Sequence, residues 1–337
     1  MTRRVTSFDV AARAGVSQSA VSRVFSGASA SKATAEKVRE AAAALGYRPN
    51  VLARSLITGR SRIIGMVVAY LGNPFYPDAL ERFSREFQNE GYHTLVFTLP
   101  EAAEDTDTDR IIQQMLDHQV DGIVLASVGL GDALAARCEA AGIPVVLFNR
   151  GQEGSGLAQI TSANRLGGAK VADFLVAGDH RRIGHVAGWQ GSSTGRDRTE
   201  GFLARLGELG QDCVGVEDGR YDHAEAVRAT DILLGKGVDA LFVGSDHMAF
   251  AVLDHLRCTL GLSVPQDVSV VGYDDVPMAA FAGYDLTTVR QPVGRMVETT
   301  VAALINQIED KSAQAEVTEI DGPLILRGSA RRPEGME

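Results

Sequence analysis

Residues 16–25 read VSQSAVSRVF. Wound as a helix, the stretch gathers Val16, Ala20, Val21, Val24 and Phe25 on one side and Ser17, Gln18, Ser19, Ser22 and Arg23 on the other. A surface helix usually shows water a mixture of lysine and glutamate; this face offers hydroxyls, one amide and one guanidinium, with no carboxylate. Upstream, SFDVAARA (7–14) predicts a first helix from about Ser7 to Ala14, with Ser7 as its N-cap and Phe8, Ala11 and Ala12 turned inward. Gly15 permits the tight turn between the two. Downstream, SGASA (26–30) leads into a third helix from about Ser31 that ends at Gly46, and Pro49 blocks any continuation. Two short helices joined by a three- or four-residue turn containing glycine make a helix-turn-helix, whose second helix enters the major groove of DNA. The uncommon face then acquires a purpose. Gln18 presents an amide to adenine, Ser19 bonds as donor or acceptor, and Arg23 pairs with guanine or phosphate. A carboxylate there would be repelled by the phosphates.

Charge is distributed to match. Residues 1–62 hold eleven Lys or Arg against three acids, a net +8. The whole chain carries −10, so the remainder carries −18. A basic head on an acidic body is the pattern of a protein that docks on a polyanion through the head alone.

The segments TSFDVAARAGVSQSAVSRVFSG (6–27) and VREAAAALGYRPNVLARSL (38–56) closely resemble the DNA-binding domain of the LacI/GalR family of bacterial transcription regulators. The resemblance continues more loosely toward the C-terminus. Ala20 stands where the family usually has threonine, which removes a phosphate contact and leaves the packing. For NVLARSL (50–56), too short to be a stable helix alone in water, the resemblance implies a hinge helix that forms on DNA beside its twin from a second subunit. There Leu56 would wedge into the minor groove, a recognised bending device. Ala53 would let the two helices approach, with Asn50 and Arg54 completing the DNA-facing set. Residues 1–49 are thus expected to be a helix-turn-helix domain and 50–61 a hinge and linker.

From residue 62 onward strands alternate with helices. IIGMVVAY, HTLVFTL, GIVLAS, PVVLFN, RRIGHVAG, ALFVGS and VSVVGYDD are short apolar runs typical of buried parallel strands. Between them lie helical stretches such as PDALERFSREFQNEG and RTEGFLARLGELG. The expectation is a doubly wound α/β body, residues 62–337, too long for one sheet and so divided into two lobes. The resemblance implies a type I periplasmic-binding-protein-like body. Lobe 1 is expected to span about 62–161 plus 291–320, and lobe 2 about 162–290 plus 321–337.

Ligands of such folds bind beyond the C-terminal ends of the strands, which directs attention to GNPFY (72–76), NR (149–150), SDH (245–247) and YDD (273–275). The resemblance supplies roles for an effector site: Phe75 or Tyr76 as an aromatic face, Asn149 at the end of the fourth strand, Arg198 of RTEGF reaching the ligand, and Asp246 accepting from its hydroxyls or amines. Asn164 survives in ITSANRLGG, although Ala163 replaces the family's preceding aspartate. Other readings stand beside these: Arg198 and Asp246 as an ion pair between lobes, Phe75 as core, and Trp189 as either roof or packing. His180 and His185 are read as structural, His247 as a neighbour of the ligand or of Asp246 only, and Tyr273 and Asp274 as ordering a hinge-side loop. Tyr284 and Asp285 replace a common proline pair, expected close to the hinge. An aromatic face with an amide and an Arg–Asp set suits a sugar or other polyol; a nucleobase is the alternative.

The remaining features exclude. The odd, scattered Cys138, Cys213 and Cys258 fit neither a disulfide framework nor a zinc site and are read as buried reduced thiols. No apolar run reaches membrane-spanning length, and Arg3 and Arg4 precede no apolar stretch, so neither a span nor a secretory leader is expected and the cytoplasm is the expected location. SVGLGDAL (127–134) lacks the third glycine of a dinucleotide fingerprint. No metal, cofactor or catalytic residue is assigned. A solute-binding protein without DNA function would have no use for the basic head. No leucine heptad follows GPLILRGSARRP, so a homodimer is expected, reading a pseudo-palindromic operator under the control of a small molecule.

Overall fold

The computed structural model describes residues 5–26, 29–47, 60–99, 105–128 and 137–335. It divides into two units, Met1–Arg62 and Ile63–Glu337, each described by itself.

The head holds three helices, α1 (Ser7–Ala14), α2 (Gln18–Ser26) and α3 (Lys32–Leu45). Val10, Ala11, Val21, Val38, Ala41 and Ala42 form its core, with Phe25 and Tyr47 packed ring against ring at 5.8 Å. Thr6, not Ser7, caps α1: its hydroxyl accepts from the Asp9 N–H while the Asp9 carboxylate accepts from the Thr6 N–H at 2.8 Å. Phe8 is 70% exposed and Ala12 also faces out. At 100° per residue the buried face centres on Val10, Ala11 and Ala14, leaving Phe8 roughly 110° and Ala12 roughly 150° away from it. Gly15 and Gly46 end α1 and α3 in the left-handed region, φ +65° and +64°, where glycine carries no side-chain penalty. The expected hinge residues Asn50, Ala53, Arg54 and Leu56 lie outside the described residues.

The body is built on two six-stranded sheets. The first contains β1 (Ile63–Val68), β2 (His93–Thr98), β3 (Gly122–Ala126), β4 (Val145–Phe148), β5 (Ala158–Ser162) and β11 (Val317–Ile320), in the order β11-β5-β4-β3-β1-β2, all parallel. The second contains β6 (Ile183–Ala187), β7 (Gly215–Asp218), β8 (Ala240–Val243), β9 (Ser269–Asp274), β10 (Thr287–Arg290) and β12 (Leu324–Ile325), in the order β12-β10-β9-β8-β6-β7, parallel except for β12. The helices are α4 (Phe75–Asn89), α5 (Asp105–Asp117), α6 (Asn164–Ala177), α7 (Ser193–Glu208), α8 (His223–Gly235), α9 (Asp246–Asp254) and α10 (Val293–Glu309).

The chain passes between the sheets three times: after β5, after β10 and between β11 and β12. Sequence patterning misses β5, β7, β10, β11 and β12, and α9 and α10. In β5, AQITS reads as polar although every residue is buried; the Gln159 amide is satisfied by Gln152, accepting from its N–H and donating to its carbonyl, both at 2.8 Å. β11 is an edge strand whose Val317 is 67% exposed. Ala163 precedes α6 without a side-chain cap, the local result of losing an aspartate there.

Phe83 of α4 meets Phe148 of β4 edge-on at 4.9 Å and stacks on Phe87 at 5.9 Å. In the second lobe His185 stacks on Phe242 at 4.5 Å. Helices α6 and α7 lie so close that a Cβ at Gly168 would stand 2.3 Å from the Arg198 carbonyl oxygen, and one at Gly201 2.0 Å from that of Arg165. Tyr284 and Asp285 precede β10, at the opposite end of that strand from the crossing at Gln291, and Tyr284 packs on Phe250 at 4.4 Å rather than bordering the hinge. All three cysteines are free, Cys138 buried as expected, Cys213 half-buried and Cys258 exposed.

Candidate nucleic-acid interface and ligand cavity

On the head, α2 buries Ala20 and Val21 and turns Ser17, Gln18, Ser19 and Arg23 to the surface, with Ser22 half-buried. The Ser17 hydroxyl accepts from the Ala20 N–H at 3.2 Å and lies 2.9 Å from the Ser19 hydroxyl. Gln18 Nε2 donates to Ser7 Oγ at 3.3 Å. No acid stands in the first turn of α2. The face can offer hydrogen bonds of both senses to base edges.

In the body, a cleft opens where strands of both sheets end, the place where ligands of such folds bind. The wall residues lie at strand ends or on the helices that follow: Tyr70, Asn73, Phe75 and Tyr76 after β1, Ser127 after β3, Asn149 and Arg150 after β4, Thr194 and Arg198 on α7, Tyr221 after β7, His247 on α9, Asp274 closing β9, and Gln291 after β10. Four expected residues, Phe75, Tyr76, Asn149 and Arg198, are therefore brought together.

Phe75 serves both readings given above, lining the cavity and stacking on Phe148 at 6.1 Å. Tyr76 donates to Ser127 Oγ at 2.6 Å and accepts from Asn149 Nδ2 at 2.9 Å; burial pushes its phenol up, which keeps the proton in place. Arg198 is fixed on every side. Its Nε donates to Asn164 Oδ1 at 2.9 Å, Nη1 donates to the Gly244 carbonyl at 2.6 Å and lies 3.4 Å from Asp274, and the guanidinium sits 3.7 Å above the Tyr273 ring.

Three expected residues stand outside the cavity lining. Asn164 lies behind Arg198 and orients it. Trp189 faces Arg150, 5.3 Å from its guanidinium. Asp246 is fully buried, and its two oxygens accept from Thr288 Oγ1 at 2.6 Å and from the Val276 N–H at 3.0 Å. The ion pair of Arg198 is with Asp274, on its own lobe, not with Asp246. Asp274, expected only to order a loop, lines the cavity at φ +127° and accepts from Gln291 Nε2 at 2.7 Å. Burial holds both carboxyls above the usual carboxylate range; the charge of Asp274 raises Asp246 further, while Arg198 checks the rise at Asp274. His247 lies 3.2 Å from His223, and burial, then that neighbour, lowers it to about 4. His180 and His185 are fully buried, His180 against Asp239 at 3.2 Å and His185 against the Phe242 carbonyl at 3.0 Å.

The lobes touch across the cavity mouth. The Gly151 N–H donates to Ser193 Oγ at 2.9 Å, and Tyr70 meets Tyr221 edge-on at 6.5 Å. Residues of both lobes line the cavity.

Two family models match the chain: "Bacterial regulatory proteins, lacI family" over residues 8–50 and "Periplasmic binding protein-like domain" over 172–330. The chain is 30% identical over 331 residues to the HTH-type transcriptional repressor PurR of Aliivibrio salmonicida (strain LFI1238), covering 96% of this chain and 98% of that protein. It is 32% identical over 339 residues to the HTH-type transcriptional regulator CelR of Thermobifida fusca, covering 97% and 98%. Among solved structures it resembles the lac repressor dimer bound to operator and the anti-inducer ONPF, at TM-score 0.87 and 26% identity over 97% of this chain and 99% of that one. It also resembles a CelR–cellobiose complex, at TM-score 0.72 and 30% identity over 97% and 100%.

Proposed function

This chain belongs to the LacI family of bacterial regulatory proteins, and from that premise we propose that it is a dimeric repressor whose grip on a pseudo-palindromic operator is set by a small molecule bound between the lobes. It is a DNA-binding transcriptional regulator, as its relatives are. The observation that carries the reading is the acid-free exposed face of α2 on a head of net charge +8. Ser17, Gln18, Ser19, Ser22 and Arg23 read the major groove. The segment 50–56 pairs with its copy on DNA, where Leu56 opens a base step and Asn50, Ala53 and Arg54 line the groove. Two-fold symmetry of the protein demands two-fold symmetry of the site. Phe75, Tyr76, Asn149, Arg198 and Asp274 hold the effector, with Asn164 behind them.

The test is operator binding by the full chain over a range of salt. Several phosphate contacts make log affinity fall linearly with log salt, by roughly 0.9 per phosphate neutralised. A flat response overturns DNA recognition by the head. Leu56→Ser should weaken operator binding at least tenfold and leave the cavity's ligand affinity unchanged; equal loss of both would sink the hinge assignment.

A further inference from the structure

Among the described residues Arg150 has no counter-charge. Its guanidinium lies between the Tyr70 ring, 5.9 Å away, and the Trp189 ring, 5.3 Å away. Its Nε is buried without a hydrogen-bond partner, and among the described residues no carboxylate comes within ion-pair distance of it. A cation held in a partly dry cleft without a partner is costly unless something completes it. Of the carboxylates, Asp274 alone reaches the described lining, and it is already engaged by Arg198 and Gln291. The lining therefore sets two guanidiniums against one carboxylate. Thr194, in the first turn of α7, adds the positive end of a 16-residue helix that has no acid in that turn. Two more groups wait for a partner, Asn149 Oδ1 and Gln291 Oε1, each buried and each an unused acceptor.

We propose that the effector carries an anionic group, a carboxylate or a phosphate, which Arg150 binds, and hydroxyls that donate to Asn149 and Gln291. This rests on the reading of the cavity as the effector site. It selects a sugar acid or sugar phosphate over a neutral sugar or a purine base. The placement also carries regulation. Gly151, next in the chain, donates to Ser193 at the start of α7, so an anion on Arg150 acts on a loop that already touches the helix of the other lobe.

The experiment measures ligand-induced thermal shifts and titrations of the full chain at constant ionic strength. The probes are aldonates and uronates such as D-gluconate and D-glucuronate, D-glucose 6-phosphate, neutral D-glucose and cellobiose, and hypoxanthine. Expected is binding of a carboxylate or a phosphate probe at least tenfold tighter than its neutral counterpart, and the arm that binds identifies the anion. Arg150→Gln should remove that tenfold preference while the unliganded melting temperature holds, and Arg150→Lys should keep part of it. A neutral sugar or hypoxanthine binding as well as any anion overturns the inference and leaves the cavity as the effector site. A charge preference that survives in Arg150→Gln also overturns it. If no probe of any class binds, the reading of the cavity falls as well.

Discussion

One buried imidazole has a separable part in how the body responds to acid. His185 is enclosed between Phe242 and Phe202, its Nδ1 donating to the Phe242 carbonyl, and burial lowers it to about 4 from 6.5. The unfolded chain therefore takes up a proton first as the pH falls through 6.5, and stability is lost until the folded ring titrates near 4. A shift of this size corresponds to about 3 kcal/mol. His185→Gln should show a visibly shallower fall in melting temperature between these two values. Asp246 and Asp274, held protonated more readily in the folded state, act in the opposite sense, equally in both proteins, so the difference isolates the imidazole. An unchanged slope would mean that the ring is not held neutral. The two aspartates also mark where residue-level reading stops. Each follows a strand, in GSD and GYDD, and the sequence does not separate them. What separates them is a fold-back: Thr288 and the Val276 N–H engage Asp246, while Asp274 stays with Arg198 at the cavity.

The packing of α6 on α7 depends on two positions without side chains. Gly168→Ala would drive a methyl into the Arg198 carbonyl, and a shift of that backbone displaces the arginine that lines the cavity. Overpacking of this kind costs about 1–3 kcal/mol, and weakened ligand binding should accompany the lower melting temperature. Gly207→Ala, on α7, meets nothing within 4 Å; replacing a helical glycine there should stabilise by up to about 1 kcal/mol. Equal effects at the two sites would refute the close approach. The sequence displayed these helices and the branched runs of β1, β3, β4, β8 and β9 because each buries a regular face. It hid β5, where a glutamine is buried with its amide satisfied by a neighbouring loop, and β11, where an edge strand leaves valine in water. Arg150 sat in plain view beside Asn149, but only the fold reveals that, among the described residues, no carboxylate reaches it.

Under the proposed function, head and body are joined by thermodynamics. If the cavity's occupant alters operator affinity by some factor, operator DNA must alter the occupant's affinity by the same factor. Titrating the ligand with and without saturating operator should return one coupling constant from both directions. Values that disagree would mean that a third equilibrium, such as subunit association, has been left out. Coupling of 5- to 150-fold is typical, and replacing Arg198 with alanine should collapse it by removing the ligand's side of the exchange.

The three passages between the sheets also govern how the chain is made. Gln159 of β5 pairs with Val317 of β11, and nearly all of the second lobe is translated between them. At roughly 5–20 residues per second, the outer edge of β5 stays open on the ribosome for roughly 8 to 30 seconds. An uncovered strand edge with an apolar face is a template for aggregation. A ribosome stalled within the second lobe would thus leave the first one unfinished and sticky, and no contiguous fragment of the gene encodes either lobe complete.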